Sequence, residues 1–150
     1  MPAKMLPMAH PEYLIAPMRE DLTRFGVEET RTPEEVDQAL APGSGTVLMV
    51  VNSVCGCAAG KARPAVGMAM QHTVRPDRFT TVFAAGDDEA VAHLRSTKLA
   101  AFPPSSPSIA LFKDGQPVYM MHRRDIETRE APEIAQLLTE AFEQHCRNNS

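Results

Sequence analysis

Two cysteines one residue apart, Cys55-Gly56-Cys57, close the apolar run Thr46-Val-Leu-Met-Val-Val-Asn-Ser-Val54. They are the residues best suited to chemistry. The β-branched run reads as a buried strand over 46–53, and Ala58-Ala59-Gly60-Lys61-Ala62-Arg63 reads as the start of a helix. Thiols at a strand-to-helix junction face unsatisfied N–H groups and a positive dipole end, which favour thiolate over thiol. Thiolate is the nucleophile of thiol–disulfide exchange. Cys55, nearer the strand end, is expected to be the more exposed thiol and to touch the helix N-terminus. Cys57 is then placed to resolve a disulfide formed at Cys55. Gly56 supplies the backbone freedom that so small a ring requires. The ring is expected to be strained, which makes the pair more oxidising. The competing reading is a pair of buried structural cysteines.

Composition narrows the setting. The 150 residues suit a single domain over 1–150, with 1–10 expected to be poorly ordered. With 43% hydrophobic and 23% charged residues and a net charge of -4, no basic surface points to nucleic acid. No stretch approaches the ~20 apolar residues of a membrane span, and no signal-peptide core opens the chain. Three cysteines, an odd number, do not suggest a disulfide-stapled secreted scaffold, so a cytoplasmic location is expected.

The remaining elements must position the dithiol. A helical stripe of Leu14, Met18, Leu22 and Phe25 spans 11–25, with Pro17 inside it and Gly26 as its stop. Val27 to Thr30 suits a short strand. Thr32-Pro33-Glu34-Glu35 has capping-box form and opens a helix through Leu40. A helix over about 57–74 is expected to bend at Pro64. The run 79–84 reads as a second strand, parallel to the first. Asp87 is placed to cap a helix to about Leu99. The loop Pro103-Pro104-Ser105-Ser106-Pro107 leads to a strand over 108–113, an Asp114-Gly115 turn and an antiparallel return over 118–122. Ile134, Leu137, Leu138, Ala141 and Phe142 share one face of a terminal helix. The result is α/β: a mixed central sheet, with a parallel βαβ half and an antiparallel hairpin half, flanked by helices.

This order is similar to the thioredoxin fold. Val51-Asn-Ser-Val-Cys-Gly-Cys-Ala-Ala-Gly-Lys-Ala-Arg-Pro64 with Pro104-Ser-Ser-Pro-Ser-Ile-Ala-Leu111 resembles the bacilliredoxin family of CGC-type thioredoxin-like proteins. Residues 17–22 and 141–146 share the resemblance, which extends over about 11–146. It implies thiol–disulfide oxidoreductase activity: reduction of mixed disulfides between proteins and bacillithiol, with weak disulfide isomerase activity. Bacillithiol would be a co-substrate, with no further cofactor. The partners would be bacillithiolated or disulfide-bonded client proteins, and a dithiol or low-molecular-weight thiol would reset the pair. Cys55 would attack and Cys57 resolve, and Pro107 matches the cis-proline that faces the active site in thioredoxin-like folds. The chain departs from ordinary thioredoxins in having neither a Trp before the motif nor a CxxC.

Around the dithiol, Asn52, Ser53, Lys61, Arg63 and the Ser106-Pro107 backbone are the candidates for substrate contact. Lys61 and Arg63 would favour the thiolate or hold an acidic bacillithiol malate; a solvated helix face is the plainer reading. Cys146, beside His145, reads as a partly buried free thiol. Two readings from other classes stay open: a Cu(I) or iron–sulfur protein using the CxC pair, and a non-catalytic adaptor. No metal ligand set is expected, because two cysteines fall short of four and His10, His72, His93, His122 and His145 are dispersed.

Overall fold

The computed structural model describes residues 10–147. The poor order expected for 1–10 therefore lies outside the described residues for all but His10, whose N–H donates to the Ala85 carbonyl at 2.8 Å. Helices are α1 Glu12–Thr23, α2 Pro33–Ala39, α3 Arg63–Ala69, α4 Asp88–Ser96, α5 Arg123–Glu127 and α6 Ala131–His145. Strands are β1 Glu28–Glu29, β2 Thr46–Asn52, β3 Arg78–Phe83, β4 Ser108–Lys113 and β5 Gln116–Met121.

The sheet order is β1-β3-β2-β4-β5. β3 runs parallel to β1 and β2, whereas β4 is antiparallel to β2 and β5. The parallel half and the hairpin half expected from the sequence are both present, with β2 at the centre. Every residue of β2 is buried. Strand alternation then divides its side chains between two cores. Leu48 and Val50 join Leu22, Ile109, Leu111 and the apolar faces of α3 and α6. Val47, Met49 and Val51 join Phe112 and the apolar faces of α2 and α4. Burial on both faces anchors the strand that carries the dithiol, each Val or Leu contributing ~1.5–3 kcal/mol.

Several expectations are corrected. In α1 the buried face is Ile15, Arg19 and Leu22, while Leu14 and Phe25 are exposed. The apolar stripe misread the helix because a charged residue completes its inner face. Arg19 Nη2 meets Asp87 Oδ1 at 2.7 Å, Nη1 meets Glu29 at 2.9 Å and Nε meets Glu12 at 3.0 Å. Asp87 lies at the N-cap position of α4, yet its carboxylate turns to Arg19 and the Phe83 N–H rather than capping the helix.

The helix after the motif is shorter than expected and begins with a π-helical turn, Ala58–Ala62. The Arg63 N–H reaches back to the Ala58 carbonyl, and Pro64, the next residue, has no N–H to continue an α ladder. Proline thus acts as a change of helix type. β5 begins at Gln116, with Pro117 tolerated on a strand at the sheet edge. The five-residue helix α5 was not expected at all.

Candidate active site

Cys55 follows the buried end of β2 and serves as the cap of the next helix. Its carbonyl accepts from the N–H groups of Ala58 at 2.9 Å and Ala59 at 3.2 Å. Its Sγ accepts from the Cys57 N–H at 3.4 Å and lies 3.1 Å from Cys57 Sγ. Both cysteines are half-buried free thiols, so the structural-cysteine reading fails on exposure. The shared hydrogen bond acts on them in opposite directions. Donation from the Cys57 thiol, with the Cys57 and Ala58 backbone and the Arg123 charge, lowers the Cys55 pKa. The same bond, with burial and repulsion from Cys55 and Glu127, raises the Cys57 pKa. Cys55 is thereby the more acidic thiol of the two.

Beneath the pair, three residues expected to touch substrate are instead turned inward. Arg63 is 3% exposed, Asn52 1% and Ser53 6%. Arg63 donates to Asn52 Oδ1 and the Ser53 carbonyl, both at 2.9 Å, and to Asp21 Oδ2 at 3.0 Å. Asn52 accepts from the Ser53 N–H at 2.9 Å and donates to the Met18 carbonyl at 3.2 Å. Ser53 Oγ accepts from the Cys55 N–H at 3.1 Å. Burial and this saturation of donors and acceptors correct their role: they position Cys55 from below.

Lys61 faces the site rim but holds protein, donating to the Glu127 carbonyl at 2.8 Å. That bond places α5 beside the dithiol and brings in two residues the sequence did not single out. Glu127 Oε2 lies 3.9 Å from Cys57 Sγ and 3.3 Å from Arg123 Nε. Arg123 also donates to the Ser106 carbonyl and, through its backbone N–H, to Ser105 Oγ, each at 3.3 Å. The signal available was the tight basic cluster His122-Arg123-Arg124, but nothing in it indicated which residues would face the thiols. The Ser106–Pro107 peptide is cis, and Pro107 is buried at the start of β4.

Cys146 stands apart. Its pKa is raised by burial, and it hydrogen-bonds Thr46, at the end of β2 far from Cys55. Six residues of strand rise amount to about 20 Å. Cys146 therefore does not resolve a disulfide at Cys55 within the same chain. Among the described residues no cluster of three or more His, Cys, Asp and Glu is arranged to hold a metal ion.

Comparison with known proteins agrees with this geometry. Residues 10–146 match the family model described as disulphide isomerase. A bacilliredoxin of Koribacter versatilis is 53% identical, covering 91% of this chain and 94% of its own. A second, of Shouchella clausii, is 46% identical over 93% and 98%. The chain belongs to the bacilliredoxin family. This bacilliredoxin-family chain is a thiol–disulfide oxidoreductase. Its fold is that of thioredoxin. A variant thioredoxin of Halobacterium salinarum superposes with a TM-score of 0.55 at 19% identity, covering 84% of this chain and 96% of that one. Thioredoxin O1 of Arabidopsis thaliana gives 0.51 at 18%, over 81% and 99%. No helix among the described residues is long and apolar enough to cross a membrane.

Proposed function

We propose that the Cys55–Cys57 dithiol removes bacillithiol from mixed disulfides with client proteins, in the cytoplasm, with bacillithiol as co-substrate and no bound cofactor. The observation that carries the reading is the asymmetry of the pair: two sulfurs 3.1 Å apart with oppositely shifted acidities. The Cys55 thiolate attacks the bacillithiol sulfur of the mixed disulfide, and the client leaves as a thiolate that takes a proton from water. Cys57 then gives up its proton, with Glu127 positioned to receive it, and its thiolate attacks Cys55 Sγ. Bacillithiol departs as a thiolate, and the two cysteines are left as a disulfide. An external dithiol or low-molecular-weight thiol supplies the two electrons that restore the dithiol. Reshuffling of protein disulfides, the isomerase activity that the family description names, needs only attack by Cys55 on a client disulfide and displacement of Cys55 by a different client thiolate.

The test is single-turnover reaction with a bacillithiolated protein, followed by mass spectrometry of the wild type and the Cys57→Ala variant. Release by the wild type and a bacillithiol adduct on Cys55 in the variant are the expected results. Normal turnover by Cys57→Ala would replace the dithiol scheme with a one-thiol mechanism. No release, with scrambled protein disulfides still reshuffled, would make the protein an isomerase.

A further inference from the structure

A cleft of about 440 Å³ opens beside the dithiol, between the Pro103-Pro104-Ser105 loop and α5. It adjoins the reacting groups through Arg123 and Glu127, which line it, and Glu127 lies 3.9 Å from Cys57 Sγ. The volume falls in the ~300–1,000 Å³ range of small-molecule sites. The charges are unevenly spent. Glu127, the acid among the lining residues, is paired with Arg123, and Arg123 is further engaged by the Ser106 carbonyl. Arg124 also lines the cleft, is exposed, and has no carboxylate partner among the described residues. Among the described residues its guanidinium makes no hydrogen bond, while its backbone carbonyl accepts from Thr128 Oγ1 at 2.8 Å. An unpaired guanidinium offers a fork of donors matched to a carboxylate. Pro103 and Pro104 supply an apolar wall for a short carbon skeleton.

We propose that this cleft is the subsite for the low-molecular-weight thiol, and that it selects a thiol bearing a carboxylate through Arg124. The inference rests on the reading that such a thiol is handled at the dithiol. The thiol's sulfur lies toward Cys55 and its carboxylate toward Arg124. Salt should weaken the selection, since the Debye length falls from ~10 Å at 0.1 M to ~3 Å at 1 M.

The test is single-turnover oxidation of the reduced protein by three small symmetric disulfides: dithiodiglycolate, which is anionic, neutral hydroxyethyl disulfide and cationic cystamine. Cys55 displaces one small thiolate and Cys57 the second, so the dithiol is oxidised and each probe is reduced to two thiols. Rates are divided by those of the same probes with dithiothreitol to remove intrinsic reactivity. The wild type should prefer dithiodiglycolate to hydroxyethyl disulfide by about tenfold, the ratio that ~1.4 kcal/mol produces. Arg124→Gln should bring that ratio to about one, and Arg124→Glu should turn the preference toward cystamine. A wild-type ratio of about one, or a preference that survives Arg124→Glu, overturns the subsite while leaving exchange at the dithiol intact. Failure to react with any of the three probes overturns the exchange reading instead.

Discussion

Cys55 and Cys57 share one turn of backbone, and their different environments assign them an order. An ordinary thiol titrates near 9.0. The first midpoint of the pair falls below that value and the second above it, so between them the pair holds a Cys55 thiolate and a Cys57 thiol. Iodoacetamide near neutral pH should therefore modify Cys55 first. Peptide mapping across a pH series checks this, and equal labelling of the two would remove the asymmetry. Arg123→Ala takes away a positive charge that favours the Cys55 thiolate, so the midpoint should move up. Labelling at pH 7 should slow by roughly two- to fivefold, the scale of a solvent-screened charge pair. The cysteines were legible from the sequence because spacing and placement carry their chemistry. Arg63 was not, since Lys61 and Arg63 look alike in a helix that opens with small residues. Only the fold shows that one is buried on Asn52 and Ser53 while the other grips α5. Arg63→Ala should cost about 1–3 kcal/mol for each polar group left unsatisfied, read by urea denaturation.

The β2 strand was plain from the sequence, because an unbroken apolar, β-branched run admits few other structures; the helix after it was expected, but not its π-helical opening or its end at Ala69. α1 was misread and α5 missed because their buried faces carry little apolar signal. α1 packs through Arg19 as well as Ile15 and Leu22, so an apolar stripe chosen by periodicity alone lands a residue away. α5 buries Ile126 alone within its five residues, too little apolar signal to mark a helix. The junction of α1 with β3 is correspondingly tight. A Cβ at Gly86 would meet Ile15 Cδ1 at 2.7 Å, Arg19 Nη2 at 3.2 Å and Phe83 Cδ1 at 3.3 Å. Gly86→Ala should therefore lose about 1–3 kcal/mol by overpacking, measured as a lower urea midpoint at unchanged slope. At Gly67 the nearest atoms, 2.7 Å away, belong to the ring of Phe25, which is 40% exposed and has room to swing. Gly67→Ala should be far milder, since alanine adds about 1 kcal/mol of helix propensity. Equal losses at the two glycines would contradict this account of the junction.

At the scale of the molecule, the two ends of β2 have separate duties. One end presents the dithiol, and the other is tied down by Thr46 to Asp77 and Cys146. Cys146→Ser should leave exchange rates unchanged, whereas Arg19→Ala should lower stability by about 3 kcal/mol, the low end for a broken buried pair, because buried Asp87 then keeps only the part-exposed Arg31, 3.4 Å away. Calorimetry and a thiol-release assay together separate these effects. Fold class, the parallel and hairpin halves of the sheet and the dithiol could be read from the chain because long-range packing is encoded in apolar runs. The rim of the site could not, because it depends on where a polar segment comes to rest. That same α5 is fastened by Lys61, Ser105 and Ile126 and capped by its own Asp125, while Arg124 is exposed beside the nucleophile. On the proposed subsite, drift at Arg124 alone retunes which thiols are accepted without disturbing the interior, so preference can evolve, or be engineered, at one exposed codon.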